Sequence, residues 1–504
     1  MKKTLALLSI LLWVYACDYE RETSVELTQK EAQSRNELDD LIWSTMKTKG
    51  EFNWNLQSTQ VVWSALQQSD QVLSVGFKPA DYAGDLKETI HTIDIQENAW
   101  KNARKAVLDL ILKEERKAKP SLNLEELIAF EEEILPVLDV RVTQLSTIEA
   151  LRKSPLVRYA EPMGYEPALN TAKSSSGCGG YTEDFGLQLG SDYTNLSPNA
   201  KASWNHSFHN IAGAWTKTTG SGVKIMIIDT GISPNQDNLG SQFNQGSSSG
   251  RTVEKLATLR EWQLFGTGPL ESPNDDCGHG TAMSGVSTAP RGTDGNAAGI
   301  AYNAGLVGVR AASDVYLDAS REVKGVSDAY TLAGNRSDIK ITSMSLGRIT
   351  SSSQMSDAIR YAYNKGKLIF CAGGTSFGFT AGFVGVIFPA TMSEVVAVTG
   401  IKDNGSRCEA CHDGSQIDFV VVMERSSNGD HPITTAMSGN QPGTVGGSSV
   451  ATAQTAGIAA LVWSRFPSYT RDQVLNKLTT SGSFYPSKSG SFGWGVIDAN
   501  LATN

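Results

Sequence analysis

An α/β fold, with a mainly parallel sheet covered by helices on both faces and a small α+β domain in front of it, is the class this sequence predicts. Three observations point there. The composition changes along the chain: residues 18 to about 165 are charge-rich and helical in pattern, whereas residues from about 200 onward are rich in Gly, Ser and β-branched residues. In the second part, the apolar runs Val223 to Ile228, Leu306 to Val309, Ile339 to Ser343, Leu368 to Phe370 and Val395 to Val398 are short and separated by loops or helix-length stretches. Strands buried on both faces of a parallel sheet have that form. Finally, 504 residues exceed one ordinary core, so two folded units and a leader are expected.

The leader is residues 1–16. Lys2 and Lys3 precede the apolar run Leu5 to Ala16, the charged and apolar regions of a secretory signal, and the run is too short to span a bilayer. It ends in Val14-Tyr15-Ala16-Cys17, which is similar to a bacterial lipobox, whose Cys becomes the lipid-modified N-terminus. Export to the bacterial cell envelope and membrane anchoring through Cys17 are the expectation, with an ordinary signal peptide beside a chance Cys as the plainer alternative.

In the first folded unit, residues 17–165, Glu97 to Lys117 and Leu122 to Ile134 read as helices with apolar stripes, the second stopped before Pro136. Leu138, Val140 and Val142 alternate like a strand. Ser146 and Glu149 then make a capping-box pattern, and Val157 to Ala160 reads as a strand before a turn at Pro162. Residues 166–200, with Ser174-Ser175-Ser176-Gly177 and few apolar side chains, read as an exposed linker to the second unit, residues 201–504.

Composition narrows the function. With 40% apolar and 19% charged residues the chain is globular in class, and a net charge of −9 argues against nucleic acid as a partner. Outside the cytoplasm disulfides are permitted. Of the cysteines other than Cys17, Cys371 lies in the apolar run Leu368 to Ala372 and reads as a buried thiol. The remaining four could form two bridges, most simply Cys408–Cys411 and Cys178–Cys277, a connectivity that sequence alone does not fix.

Chemistry concentrates at three motifs. Asp229 follows a predicted buried strand, at the carboxyl end where sites form in open α/β sheets; taken singly, such an Asp is more often a turn or cap residue. Asp-Thr-Gly also marks aspartic proteases, but they need two such carboxylates, and one copy is present here. His279, flanked by Gly278 and Gly280, suits an imidazole that must reach both a carboxylate and a substrate, the alternative being a plain turn residue. Ser449, in Gly446-Gly447-Ser448-Ser449-Val450-Ala451-Thr452, precedes an apolar helix. A Ser there is usually an N-cap, yet a nucleophile so placed has backbone N–H groups aimed at any oxyanion beside it. Ser448 competes for the role.

The chain order Asp, His, Ser distinguishes subtilisins from chymotrypsin-like and α/β-hydrolase enzymes, and the chain resembles a subtilase. Ile227 to Ile232, Gly278 to Thr281 and Gly447 to Thr452 look like that family's active-site blocks, and Ser343-Met344-Ser345-Leu346-Gly347 is similar to its substrate-binding strand. The resemblance runs from about Trp204 to the end, and Val157 to Pro162 looks like the last strand of a subtilase propeptide.

It implies that Ser449 attacks the scissile carbonyl, His279 serves as general base and then acid, and Asp229 orients the imidazole. It also implies that Ser345, Leu346, Gly347, Ala372, Gly373 and Gly374 bind substrate, and that residues 17–165 are a propeptide that assists folding and blocks the cleft. Peptide or protein substrates and the chain's own propeptide are the implied partners. No cofactor is required, though structural calcium is common in the family, and Asp237, Asn238, Asp294 and Asn296 are oxygen-bearing residues in suitable loops.

Two features depart from the pattern. The family's oxyanion Asn is replaced by Gly374, which has no side-chain donor; Thr375 and the Ser449 backbone N–H are the expected donors. A low-activity lipoprotein acting as a binding protein is therefore the alternative function. Cys408-Glu409-Ala410-Cys411-His412 also matches a haem attachment motif, weighed against a surface disulfide.

Overall fold

The computed structural model describes residues 31–168, 177–263, 266–375 and 385–504. The signal segment, Cys17 and the Ser174 to Ser176 part of the linker lie outside them.

The N-terminal region forms a four-stranded antiparallel sheet in the order β2-β3-β1-β4, from β1 (Val72–Phe77), β2 (Ile128–Phe130), β3 (Val137–Arg141) and β4 (Val157–Pro162). Its helices Arg35–Lys49, Thr59–Gln67, Asn98–Glu115 and Leu145–Lys153 supply apolar faces, with Ile42, Leu66, Val107, Ile111 and Ile148 buried against Leu73, Val75 and Val140 of the sheet. Two expectations are corrected here. Leu122 to Ile134 is one helical turn, Leu124–Leu127, followed by β2, because Ile128 and Phe130 pair with Val140 and Asp139 of β3. The Ser146 and Glu149 capping box does not form, since the helix begins two residues earlier, at Leu145 with Gln144 as its cap.

A hairpin of β5 (Tyr193–Leu196) and β6 (Ala200–Ser203) leads into the second region. There β7 (Lys224–Asp229), β8 (Val253–Ala257), β9 (Gly305–Arg310), β10 (Ile341–Met344), β11 (Leu368–Ala372), β12 (Val396–Lys402) and β13 (Ile417–Glu424) form a parallel seven-stranded sheet, ordered β13-β12-β11-β10-β7-β9-β8. The apolar runs become its strands, and side chains alternate between two cores: Ile225 and Ile227 enter one, Met226 and Ile228 the other. After β9 the chain crosses to the opposite side of β7 to form β10. This reversal opens a crevice at the carboxyl ends of β7 and β10, where such sheets place their sites.

The N-terminal sheet packs on the helices Ser320–Asn335 and Ser353–Asn364, within one compact unit spanning residues 32–504. Polar groups cross the contact in matched pairs. Lys324 Nζ lies 2.8 Å from Glu132 Oε2, and Arg158 Nη2 lies 2.7 Å from Asp357 Oδ2. Glu161 Oε2 accepts from the Ser353 N–H at 2.8 Å, placing a carboxylate at a helix N-terminus. Glu132, Arg158 and Glu161 thus keep partners across the contact, as low-dielectric burial requires.

Candidate active site

Asp229 is the last residue of β7, and its Oδ1 lies 2.7 Å from His279 Nδ1, with both side chains buried. A carboxylate only accepts, so the proton of this bond belongs to Nδ1 and Nε2 is left as the base. Burial by itself disfavours the imidazolium of His279. The Asp229 charge, its hydrogen bond and, further off, Asp275 outweigh that, and the pKa stands above the ordinary 6.5.

The glycines of the first two motifs permit this approach. A Cβ at Gly280 would sit 2.4 Å from the Gly231 carbonyl oxygen, and Gly231 itself has φ +111°. Thr230 ties the strand end to the helix His279–Thr288, its hydroxyl accepting from the Gly280 N–H at 2.9 Å and donating to Asp275 Oδ1 at 2.9 Å.

Asp275 was not singled out by its sequence context, yet it organises the loop that carries His279. Besides the Thr230 hydroxyl, it accepts from the N–H groups of Cys277 (3.0 Å), Gly278 (2.7 Å) and Thr281 (2.9 Å) and from the Thr281 hydroxyl (2.7 Å). Tyr181, also missed, packs edge-on to His279 with centroids 6.0 Å apart. The Cys178–Cys277 disulfide fastens its segment beside Gly278.

Ser449 lies in the first turn of the helix Gly447–Arg465, which packs against the helix bearing His279. It is 6% exposed, and its carbonyl accepts from the Ser345 hydroxyl at 3.2 Å. Among the described residues no hydrogen bond joins Ser449 Oγ to His279 Nε2, a bond that in such sites often tightens only when substrate arrives. Ser448 and Ser449 line a cleft with Ser345, Leu346, Gly347, Ala372, Gly374 and Thr375, to which Val315, Tyr316 and Ile349 also contribute. Gly373 is not among the lining residues: its N–H bonds to Val398 O at 2.8 Å and its carbonyl accepts from Ile387 N at 3.0 Å, so it holds the strand end instead.

The oxyanion side has its own logic. Gly374 has φ +125°, and a Cβ there would lie 2.5 Å from His412 Nδ1, so His412 occupies the space an Asn side chain would need. His412 is buried, which pushes its pKa down to about 4, with an opposing contribution from its bond to Gly385 O at 3.0 Å. The Thr375 hydroxyl is 2.8 Å from Ser448 Oγ and accepts from the Ser448 N–H at 3.0 Å, while Ser448 Oγ accepts from the Gly374 N–H at 3.3 Å. Two hydroxyl protons serve this pair and their mutual bond consumes one.

Cys408 and Cys411 are joined to each other, which leaves neither thiol for haem attachment, and Cys371 is a buried free thiol with its pKa pushed up to about 12 by burial. Of the oxygen-bearing loop residues, Asn238 and Asp294 meet at 2.8 Å, and Gln245 Nε2 bonds to Asp294 Oδ2 at 3.1 Å. These oxygens are of the kind calcium takes, and here they are engaged by neighbouring amides.

Comparison with known proteins gives a consistent picture. The profile of the family described as Subtilase family, Peptidase S8, matches residues 220–495, more than half of the chain. The chain is 30% identical over 307 residues to a thermostable alkaline protease of Halalkalibacterium halodurans, a match covering 60% of this chain and 73% of that one. It is 27% identical over 302 residues to a subtilisin of Bacillus sp. TA39, covering 57% and 67%. Among solved structures, the MycP3 protease of a type VII (ESX-3) secretion system is similar at 23% identity and a TM-score of 0.46, over 62% of this chain and 91% of that one.

Proposed function

Since the chain belongs to the subtilase family and is a serine-type endopeptidase acting on peptides or proteins, we propose that Ser449 is its nucleophile, His279 its general base and Asp229 the group that orients His279. We propose further that it is exported, held at the bacterial envelope through Cys17, and made as a zymogen whose N-terminal region, residues 17–165 with the first residues of the linker, is removed by its own activity. The observation that carries the catalytic reading is the buried Asp229–His279 hydrogen bond at the switch point of the sheet, with Ser449 heading the adjacent cleft.

In this mechanism His279 Nε2 takes the Ser449 proton as Oγ attacks the scissile carbonyl. It then returns the proton to the leaving amine, and water hydrolyses the acyl-enzyme by the same path. The Ser449 backbone N–H and the spare hydroxyl proton of the Thr375–Ser448 pair support the oxyanion in place of the family's Asn.

Thr375→Val should lower kcat by between about 10- and 100-fold with little change in KM, somewhat below the effect known for the Asn donor of subtilisin itself. A variant with parental turnover would remove Thr375 from the oxyanion site. The His279 pKa sets a second expectation. The base works only when neutral, so kcat/KM falls as pH drops through a pKa raised above 6.5, and its acid limb should lie above that value. A limb centred below 6.5 in a pH–rate profile contradicts the assignment.

The alternative, a lipoprotein that binds peptides with little hydrolysis, is favoured only by Gly374. Expression of the precursor and its Ser449→Ala form separates the readings. Self-processing seen by mass in the parent alone supports the zymogen, and an unprocessed, inert parent supports the binder.

A further inference from the structure

Behind Tyr316 and Ile349 of the cleft, a carboxylate is buried in a site built almost wholly from the peptidase region. Arg348 follows Ser345-Leu346-Gly347 and is fully buried. Its Nε donates to Glu166 Oε1 at 2.9 Å, Nη1 to Met163 O at 3.1 Å, and Nη2 to Tyr165 O at 3.2 Å and to Thr350 Oγ1 at 3.1 Å. Glu166, 1% exposed, also accepts from the Ile349 N–H at 2.8 Å, the Thr350 N–H at 3.2 Å, the Tyr316 hydroxyl at 3.2 Å and the Thr350 hydroxyl. Every donor to the Glu166 carboxylate thus lies between residues 316 and 350. Tyr316 and Ile349 also line the cleft that Ser449 heads.

The acceptors that satisfy Arg348, Thr350 apart, all come from residues 163–166, where the N-terminal region meets the linker. When that region departs, a guanidinium, two backbone N–H groups and two hydroxyls lose their shared carboxylate, next to the cleft that Tyr316 and Ile349 line. Donors fixed in this way select an anionic, planar acceptor, since a neutral side chain of the same size leaves the cation unpaired. We propose that in the processed enzyme this is a substrate subsite for an acidic side chain, Glu or Asp, at a fixed position distal to the scissile bond, and that Glu166 occupies it in the zymogen. The inference rests on the reading of the N-terminal region as a removable propeptide.

The test uses enzyme processed from the full chain, its Ser449 labelled by a fluorophosphonate to count folded sites. Peptides carry Glu or Gln at each position on both sides of one cleaved bond, and kcat/KM is read as the Glu-to-Gln ratio. A ratio of about tenfold or more at one distal position is expected, reduced in Thr350→Val and Tyr316→Phe and lost in Arg348→Met. A flat ratio at every position in a labelling parent overturns the subsite and leaves the protease reading intact. So does a ratio unchanged in Thr350→Val and Tyr316→Phe, which retain the Arg348 side chain and guard against a misfolded Arg348 variant. A parent that does not label removes the protease reading, and the subsite with it.

Discussion

Ser449→Ala is expected to lower peptide hydrolysis by on the order of 10⁶-fold, the magnitude known from subtilisin itself, while leaving the fold unchanged. The substitution removes one oxygen from the first turn of a buried helix, and no side-chain hydrogen bond of Ser449 stabilises that turn among the described residues. The thermal midpoint should therefore stay within about 2 °C of the parent's. What is lost is the oxygen that forms the acyl bond. The residual rate reflects binding and oxyanion support alone. Turnover measured with an active-site-titrated parent as reference checks this, and a loss below about 100-fold would place the nucleophile elsewhere.

Asp275→Ala should have the second-largest effect, on stability and rate together. Five donors converge on this carboxylate, from Thr230, Cys277, Gly278 and twice from Thr281. Removing it orphans the N–H groups and hydroxyls that converge on it in a buried site, at a cost of about 3 to 5 kcal/mol. The same loop sets the His279 ring against Asp229, and a displacement of roughly 1 Å at a catalytic group costs about 10²-fold. Calorimetry should show a clear fall in Tm, and kcat should fall more than KM rises. Asp275→Asn, which keeps one acceptor oxygen, should recover part of both. A variant with parental Tm and kcat would mean that the loop holds its shape without this carboxylate.

Local rules made some features legible and left others hidden. The central strands could be read because both faces are buried, so their apolar runs are nearly continuous. β8 was missed because Val253-Glu254-Lys255-Leu256-Ala257 is a half-exposed edge, with Glu254 bonded to Arg336 and Lys224. β2 was read as helix because Leu124 to Leu127 does begin one, with Asn123 as its cap. Pairing with β3, a contact made by later residues, then overrides the local preference. β1, one of the two inner strands of the N-terminal sheet, was hidden because Ser74 and Gly76 interrupt its apolar run.

At the candidate site, Asp229, His279 and Ser449 stand out in the sequence because a strand end, flanking glycines and a helix start each leave a local mark. Asp275 was not, since a carboxylate in Asn274-Asp275-Asp276 reads as a solvated loop until the fold turns backbone N–H groups toward it. Arg348 was hidden in the same way. A cation after an apolar strand reads as exposed, and its burial depends on Glu166, 182 residues earlier. His412 explains Gly374, but only through space: the two are adjacent because β11 and the Cys408–Cys411 loop meet.

The account turns on one oxygen atom, that of Ser449 rather than of its neighbour Ser448, whose hydroxyl is already bonded to Thr375 and Gly374. Processed enzyme treated with a fluorophosphonate, digested and sequenced by tandem mass spectrometry, tests that most directly. The account predicts a single adduct on Ser449, abolished when His279 is replaced by Ala. An adduct on Ser448, or none on a folded and processed parent, would contradict it.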